Sequence, residues 1–320
     1  MYRIGIDLGG TNIAAAVVGD DYKIIKKASV PTLASREAAL IMDDMAKLCL
    51  DVCADAGISF DKIESIGIAS PGIADNVAGV VEYSCNLPSF LKYPICRELG
   101  ARLGFDNIHL ANDANAAAWG EAVAGAAKGT KNSMMITLGT GVGGGVIING
   151  KLLTGFNFAG AELGHIVIEE GGRPCGCGRR GCWETYSSAT GLINMTREKL
   201  DECHASGRET VMDELVQKSG RVTGRTAFDG WRAGDAAASE VVNMYAKYLI
   251  SGITSMVNIF QPEILSIGGG ISGEGQTLIH LIQKQVYAEQ YGSGIVKSTQ
   301  LKIAELGNDA GIVGAALLDD

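Results

Sequence analysis

The residue types best suited to chemistry lie close together in the middle of the chain. Glu162-Leu163-Gly164-His165 is followed by Cys175-Gly176-Cys177-Gly178-Arg179-Arg180-Gly181-Cys182-Trp183-Glu184. One imidazole and three thiols form a Cys3His set, the usual composition of a structural zinc site, and four protein ligands leave no open position for hydrolysis. The Cys-x-Cys spacing is tighter than the familiar two-residue gap, but glycines at 176, 178 and 181 let the loop turn sharply. The bland alternative is a surface loop of reduced thiols, which four soft ligands in so short a stretch disfavour. A bound zinc ion would also gather Glu162, His165 and Glu184. Two carboxylates and an imidazole suit the hydroxyls of a sugar, whose polar groups are costly to bury unpaired.

Three glycine-rich turns form a second class of candidates: Gly9-Gly10-Thr11, Gly139-Thr140-Gly141-Val142-Gly143 and Gly268-Gly269-Gly270. Such turns expose successive backbone N–H groups that can cradle phosphate oxygens. None carries the Lys-Ser/Thr of a P-loop, and the first two lead into strands rather than helices, so a dinucleotide fingerprint does not fit either. A nucleotide clamped between two lobes fits better. Asp7 precedes the first turn, where a carboxylate can hold Mg²⁺, although Asp before glycine is commonly only a turn former. Asn112-Asp113-Ala114-Asn115 follows the apolar run 108–111, which puts Asp113 where a strand passes into a helix. It reads either as a plain N-cap or as a general base for phosphoryl transfer, and on this stretch alone the cap is favoured.

The elements that must position these groups follow from periodicity. Strands are expected at 3–7, 13–18 and 23–30, an amphipathic helix at 36–56 stopped by Gly57, and a strand at 65–69 broken by Ser70-Pro71-Gly72. About 130 residues after the start the opening repeats. A strand at 134–138 enters a glycine turn, a second strand covers 145–148, and Asn149-Gly150 signals a hairpin into 151–153. Both glycine turns carry threonine, so the chain reads as two halves of one design. A long helix at 235–258 ended by Gln261-Pro262, a strand at 263–267 and a capped small-residue helix at 310–318 complete the pattern. The segment 195–233 reads as helical and polar, without legible chemistry.

Bulk properties exclude several classes. The 320 residues are 47% hydrophobic with net charge −9, which rules out disorder and a basic nucleic-acid surface. Asp7 interrupts the place where an export signal needs apolar residues, and no run of about 18 apolar residues spans a membrane. A cytoplasmic protein with no membrane or nucleic-acid partner is expected, its eight cysteines reduced. Cys49, Cys53, Cys85, Cys96 and Cys203 are read as buried apolar side chains.

Taken in order, these motifs, with the closing Asp309-Ala310-Gly311-Ile312-Val313-Gly314-Ala315-Ala316, resemble the ROK family of sugar kinases, repressors and unassigned reading frames across nearly the whole chain. The resemblance implies the α/β, duplicated ribonuclease-H-like (actin-like ATPase) fold, with two lobes around a cleft. The N-terminal lobe would be 1–118, completed by the C-terminal helix 305–320, and the C-terminal lobe 119–304 would carry the zinc loop. It implies that Asp113 is the catalytic base toward a hexose 6-hydroxyl and that Asp7 helps hold Mg²⁺. Gly9, Gly10, Thr11, Thr140, Gly141 and Gly143 would cradle the ATP phosphates, with Gly268, Gly269 and Gly270 near the adenosine. Gly72, Asn86, Asn112, Asp113, Glu162, His165 and Glu184 would meet the sugar, and His165, Cys175, Cys177 and Cys182 would hold structural Zn²⁺.

Repressors of the family carry a helix-turn-helix domain before the first strand, whereas this sequence enters its first strand at Tyr2, so a kinase is expected. Glucose is the nearest substrate, in the setting of glycolysis. N-acetylmannosamine, N-acetylglucosamine, allose and fructose kinases share most of the residues, and a sugar sensor without turnover is disfavoured by the intact Asp7 and Asp113. Homodimers or higher homo-oligomers are common among such proteins.

Overall fold

A computed structural model describes residues 1–319. The chain divides into two compact units: Met1–Met135 with Gly144–Ala161 and the segment from Ala304 onward, and Ile136–Gly143 with Glu162–Ile303. The first unit therefore runs past the limit at 118 read from the sequence.

In the first unit, β1 (Tyr2–Leu8), β2 (Asn12–Gly19) and β3 (Ile24–Pro31) form an antiparallel meander. α1 (Ala38–Asp55) crosses to β4 (Ile63–Ser70), which pairs parallel to β1. A short hairpin, β5 (Ile73–Asp75) and β6 (Val80–Tyr83), precedes α2 (Ile95–Leu103), β7 (Ile108–Asn112) and α3 (Asp113–Val123). The sheet order is β3-β2-β1-β4-β7. α1 buries Ile41, Met42, Met45, Leu48, Cys49 and Val52, the spacing of one helical face. It begins at Ala38 rather than at Arg36, whose guanidinium instead donates to the Thr32 carbonyl and to Asp44. Its stop is the expected one, with Gly57 in the left-handed region at φ 69°.

β1 and β4 are buried on both faces, so each needs two covers. One is α1, and the other is the C-terminal helix Ala310–Ala316. Gly5 and Gly67 are register partners on these strands, and a Cβ on either would lie 1.9 Å from the Ile312 carbonyl oxygen or 1.7 Å from that of Ala315. The helix thus lies directly on strand backbone, which is why it is built of Ala and Gly. Asp309 is not its cap as expected: it makes no capping hydrogen bond, and its carboxylate takes a 2.5 Å bond from Lys27 instead. Glu121 on α3, fully buried, accepts backbone N–H bonds from Ala126, Glu305 and Leu306 and so ties the returning chain to α3.

The second sheet comprises β8 (Ser133–Leu138), β9 (Val142–Ile148), β10 (Lys151–Leu152), β11 (Ile264–Gly268) and β12 (Gln300–Ile303), in the order β10-β9-β8-β11-β12. In both sheets the half's first strand sits between its hairpin partner and a strand from later in the chain, so the repeat read from the sequence is a repeat of strand order. Asn149 and Gly150 both have positive φ, as a two-residue hairpin turn requires.

The second unit's helices are α4 (Glu184–Ser187), α5 (Ala189–Ser206), α6 (Val211–Ser219), α7 (Thr226–Arg232), α8 (Ala236–Phe260) and α9 (Gln276–Glu289). α8 is capped by the Asp235 carboxylate and stopped by Gln261 in the left-handed region. The segment 195–233 resolves into most of α5 with α6 and α7. Among the five scattered cysteines, Cys49, Cys53 and Cys203 are buried as expected, but Cys96 is half-buried and Cys85 exposed, because the loop after β6 holds Cys85 at the surface. No helix among the described residues is long and apolar enough to cross a membrane.

Gly67→Ala is expected to destabilise the protein by about 2–3 kcal/mol, the cost of overpacking a rigid contact. Gly207→Ala, at φ 69° with nothing within 4 Å of the added Cβ, should cost about 1 kcal/mol. Urea unfolding measures both, and equal costs would contradict the backbone contact.

Candidate functional site

The first group of candidates sits where parallel strands end. β1, β4 and β7 run in parallel register with Asp7 beside Ala69 and Ser70 beside Asn112, so Asp7, the 70–72 turn and Asp113 share the carboxyl edge of the sheet. Ligands of open α/β sheets bind at this edge. The two readings of Asp113 are separated by its neighbour. Asn112 is the N-cap of α3, its Oδ1 accepting the Ala114 and Asn115 N–H groups at 2.9 and 3.1 Å, while its Nδ2 donates to the Gly72 carbonyl at 3.0 Å. Asp113 is the first helical residue, bonded only locally to the Ala114 N–H at 2.8 Å. Capping is thus assigned to Asn112, and the Asp113 carboxylate is open to solvent at the strand's end.

Although water reaches Asp113, the protein around it withholds solvation and raises its pKa, partly offset by the N–H of Ala114. Asp7, half-buried, is likewise raised, first by burial and then by the charge of Asp113, with Lys27 pulling the other way. The two carboxylates therefore feel one another. The 9–11 turn is closed by Gly9 N–H to the Asn12 carbonyl at 3.0 Å and pinned by the buried Thr32, whose hydroxyl donates to the Gly9 carbonyl at 2.6 Å and whose N–H donates to the Thr11 carbonyl at 2.9 Å. Nothing in the sequence pattern singled out Thr32. Gly72, at φ 91°, has the Tyr83 carbonyl oxygen 2.1 Å from where a Cβ would stand, and the exposed Asn86 approaches Gly10 from the loop after β6.

The second group gathers in the other unit. The 139–143 turn is held by the Ala189 N–H on the Gly139 carbonyl at 2.8 Å and the Thr190 hydroxyl on the Thr140 carbonyl at 2.7 Å, two anchors at the start of α5 that the sequence reading missed. Glu184 Oε2 accepts the Val142 N–H at 3.0 Å and lies 2.2 Å from where a Cβ on Gly141 would stand. Gly269, at φ 81°, backs onto Leu138, so the 268–270 turn lies beside the start of the 139–143 turn. Glu162 is exposed and opens the short turn 163–165 that carries His165.

The four predicted metal ligands converge. One ligand atom from each of His165, Cys175, Cys177 and Cys182 lies within 4.8 Å of all the others. Tetrahedral Zn²⁺, with Zn–S near 2.3 Å and Zn–N near 2.0–2.1 Å, separates its ligand atoms by roughly 3.5–3.8 Å. Cys177 and Cys182 Sγ are 3.6 Å apart, and His165 Nδ1 is 3.7 Å from Cys175 Sγ, so the donor set fits the ion. With Nδ1 turned to the sulfurs, Nε2 is left for another partner. The buried Trp183 ring fixes the loop's end by packing on Gly252 and donating to the Tyr248 carbonyl at 3.1 Å, which seats the adjacent Glu184.

Comparison with known proteins agrees with these features. The ROK family matches residues 3–320. The chain is 36% identical to the glucokinase of Thermotoga maritima, covering 98% of this chain and 95% of that protein, and 37% identical to the glucokinase of Halalkalibacterium halodurans, covering 99% and 94%. Its structure is similar to that of a ROK family glucokinase from Streptomyces griseus in complex with glucose and AMPPNP, with a TM-score of 0.80, 32% identity and coverage of 99% and 98%.

Because the pKa of Asp113 is raised above the ordinary 3.8, its folded-state stability contribution is present below that value and lost as pH rises through the folded pKa. At about pH 7 its ionised form opposes folding. Asp113→Asn should therefore raise the urea midpoint at neutral pH, with a gain that shrinks toward about pH 4. In the same variant the Asp7 carboxyl, followed by carbon NMR, should titrate lower. A neutral-pH midpoint below wild type would contradict the desolvation of Asp113.

Proposed function

Because the chain belongs to the ROK family, we propose that it is an ATP-dependent hexose kinase that converts glucose to glucose 6-phosphate. The support is the near full-length similarity to glucokinases, together with a carboxylate at the strand edge that Asn112 relieves of capping. In this reading the 6-hydroxyl oxygen attacks the γ-phosphorus of ATP as Asp113 accepts its proton. The bond from that phosphorus to the β–γ bridging oxygen breaks, ADP leaves, and Asp113 later releases the proton to water. Burial raises the pKa of Asp113, which makes its carboxylate a stronger proton acceptor and suits a general base.

Asp7 would hold Mg²⁺, whose charge neutralises the phosphates when bound. The 9–11 and 140–143 turns would offer N–H groups to those phosphates, with Gly268, Gly269 and Gly270 toward the adenosine. Gly72, Asn86, Asn112, Glu162, His165 and Glu184 would surround the sugar. Zn²⁺ on His165, Cys175, Cys177 and Cys182 would act structurally, fixing the ring whose Nε2 turns to a sugar hydroxyl. ATP and reduced thiols imply a cytoplasmic setting, at the entry of glucose into glycolysis.

A coupled assay for ADP release with glucose and Mg-ATP tests the reading, and sugar binding without ADP would replace it with a sensor. A panel including N-acetylmannosamine and N-acetylglucosamine decides the preferred hexose. Asp113→Asn should lower kcat by roughly 10²–10⁴-fold with glucose affinity largely kept, and wild-type turnover would remove it from the base role. Cys177→Ala should lose zinc, measured by atomic emission, and glucose affinity together. Full sugar affinity in that zinc-free variant would separate the metal from the pocket.

A further inference from the structure

A second cavity lies within the first unit, behind the edge strand β7. Its volume is about 380 Å³, enough for a small molecule, and its walls are the strand β7, the first turns of α3 and the residues around β10. Its polar groups are Asn76, His109, Asn112, Asn115, Lys151 and Thr154, of which His109 already bonds the Asn107 side chain through Nε2, and Trp119 also lines it. No carboxylate is among its described lining residues, in a chain whose net charge is −9. Lys151 is exposed and has no ion-pair partner among the described residues.

Asn115 distinguishes this cavity from a surface dent. The residue is only 4% exposed and lines the cavity, yet its Oδ1 has no hydrogen-bond partner. A buried amide oxygen left unsatisfied is costly, and a ligand with hydroxyls would recover that cost. The Trp119 N–H is already committed to the Leu317 carbonyl at 2.6 Å, so the ring offers its face rather than its donor.

We propose that this cavity is a binding site for a phosphate monoester carrying hydroxyl groups, with the phosphate on Lys151, the hydroxyls on Asn115 and Asn76, and the carbon skeleton against Trp119. Lysine supplies the charge and donors a phosphate needs, and the missing carboxylates remove the repulsion that most of this protein's surface presents. Asn112 is a wall of the cavity while its amide also holds Gly72 and the first turn of α3. A ligand there would bear on the turn that carries Asp113, a consequence that rests on the kinase reading.

The test labels the three tryptophans, Trp119, Trp183 and Trp231, with 5-fluorotryptophan and follows them by fluorine NMR, with the Trp119 signal assigned from Trp119→Phe. The protein is first saturated with glucose and AMPPNP, and glucose 6-phosphate or inorganic phosphate is then titrated in. The Trp119 signal should move saturably with glucose 6-phosphate, and Lys151→Glu, a substitution at an exposed position, should weaken that response at least tenfold. A response to inorganic phosphate of equal affinity would overturn the hydroxyl contacts on Asn115 and Asn76. A Trp119 signal that stays fixed, or one that moves equally in Lys151→Glu, overturns the site. ADP release by wild type and Lys151→Glu, measured separately before product accumulates, should be equal. Its absence in both would count against the kinase reading without touching the cavity.

Discussion

Backbone lying on backbone is the constraint from which the rest of the first unit follows. Helix 310–316 touches β1 and β4 through Gly5 and Gly67 with no side chain between them, so the strands and the helix have little freedom to shift. Two residues beyond Gly5, β1 delivers Asp7, and three beyond Gly67, β4 enters the Ser70-Pro71-Gly72 turn. The position of the sheet's carboxyl edge is therefore set by a contact two to three residues below it. Burial on both faces gives β1 and β4 their near-continuous apolar sequence, as parallel strands between two layers require.

In the other unit the corresponding role falls to a polar chain of contacts. Trp183 is fixed against α8, the next residue, Glu184, reaches the Val142 N–H with one oxygen, and its other oxygen lies 3.9 Å from the Cys175 sulfur. The cysteine loop and the 139–143 glycine turn thus share one carboxylate. A metal on the four ligands would order more than its own loop, because Glu184 carries that order to backbone suited to phosphate.

Much of this was legible in the sequence because it depends on local chemistry. Glycine runs mark turns whatever surrounds them, Asn149-Gly150 marks a hairpin, and one histidine with three cysteines marks a ligand cluster able to hold a metal even with unusual spacing. The ROK resemblance extended this to roles for residues such as Asp113, which its own stretch left as a cap. What stayed illegible depends on partners distant in the chain. Asn112, not Asp113, caps α3 because its side chain also finds the Gly72 carbonyl, 40 positions away. Asp309 gave up capping for Lys27, and Thr32, Thr190 and Glu121 hold turns and crossings that no local pattern announces. Cys85 lies at the surface for the same kind of reason: the loop after β6, not the residue's apolar character, sets its exposure.

The passage of the chain back to its beginning has a bearing on synthesis. β1 is made long before the helix that roofs it, and the Glu121 carboxyl likewise waits for the amides of Glu305 and Leu306. Until those residues emerge, one face of a strongly apolar sheet has no cover. Contacts of such long sequence separation form slowly, because the intervening chain must be gathered before they are rewarded. The first unit is thus completed only after the whole stretch 162–303 of the second has been made, and the growing polypeptide spends that time with the surface open to whatever holds nascent chains.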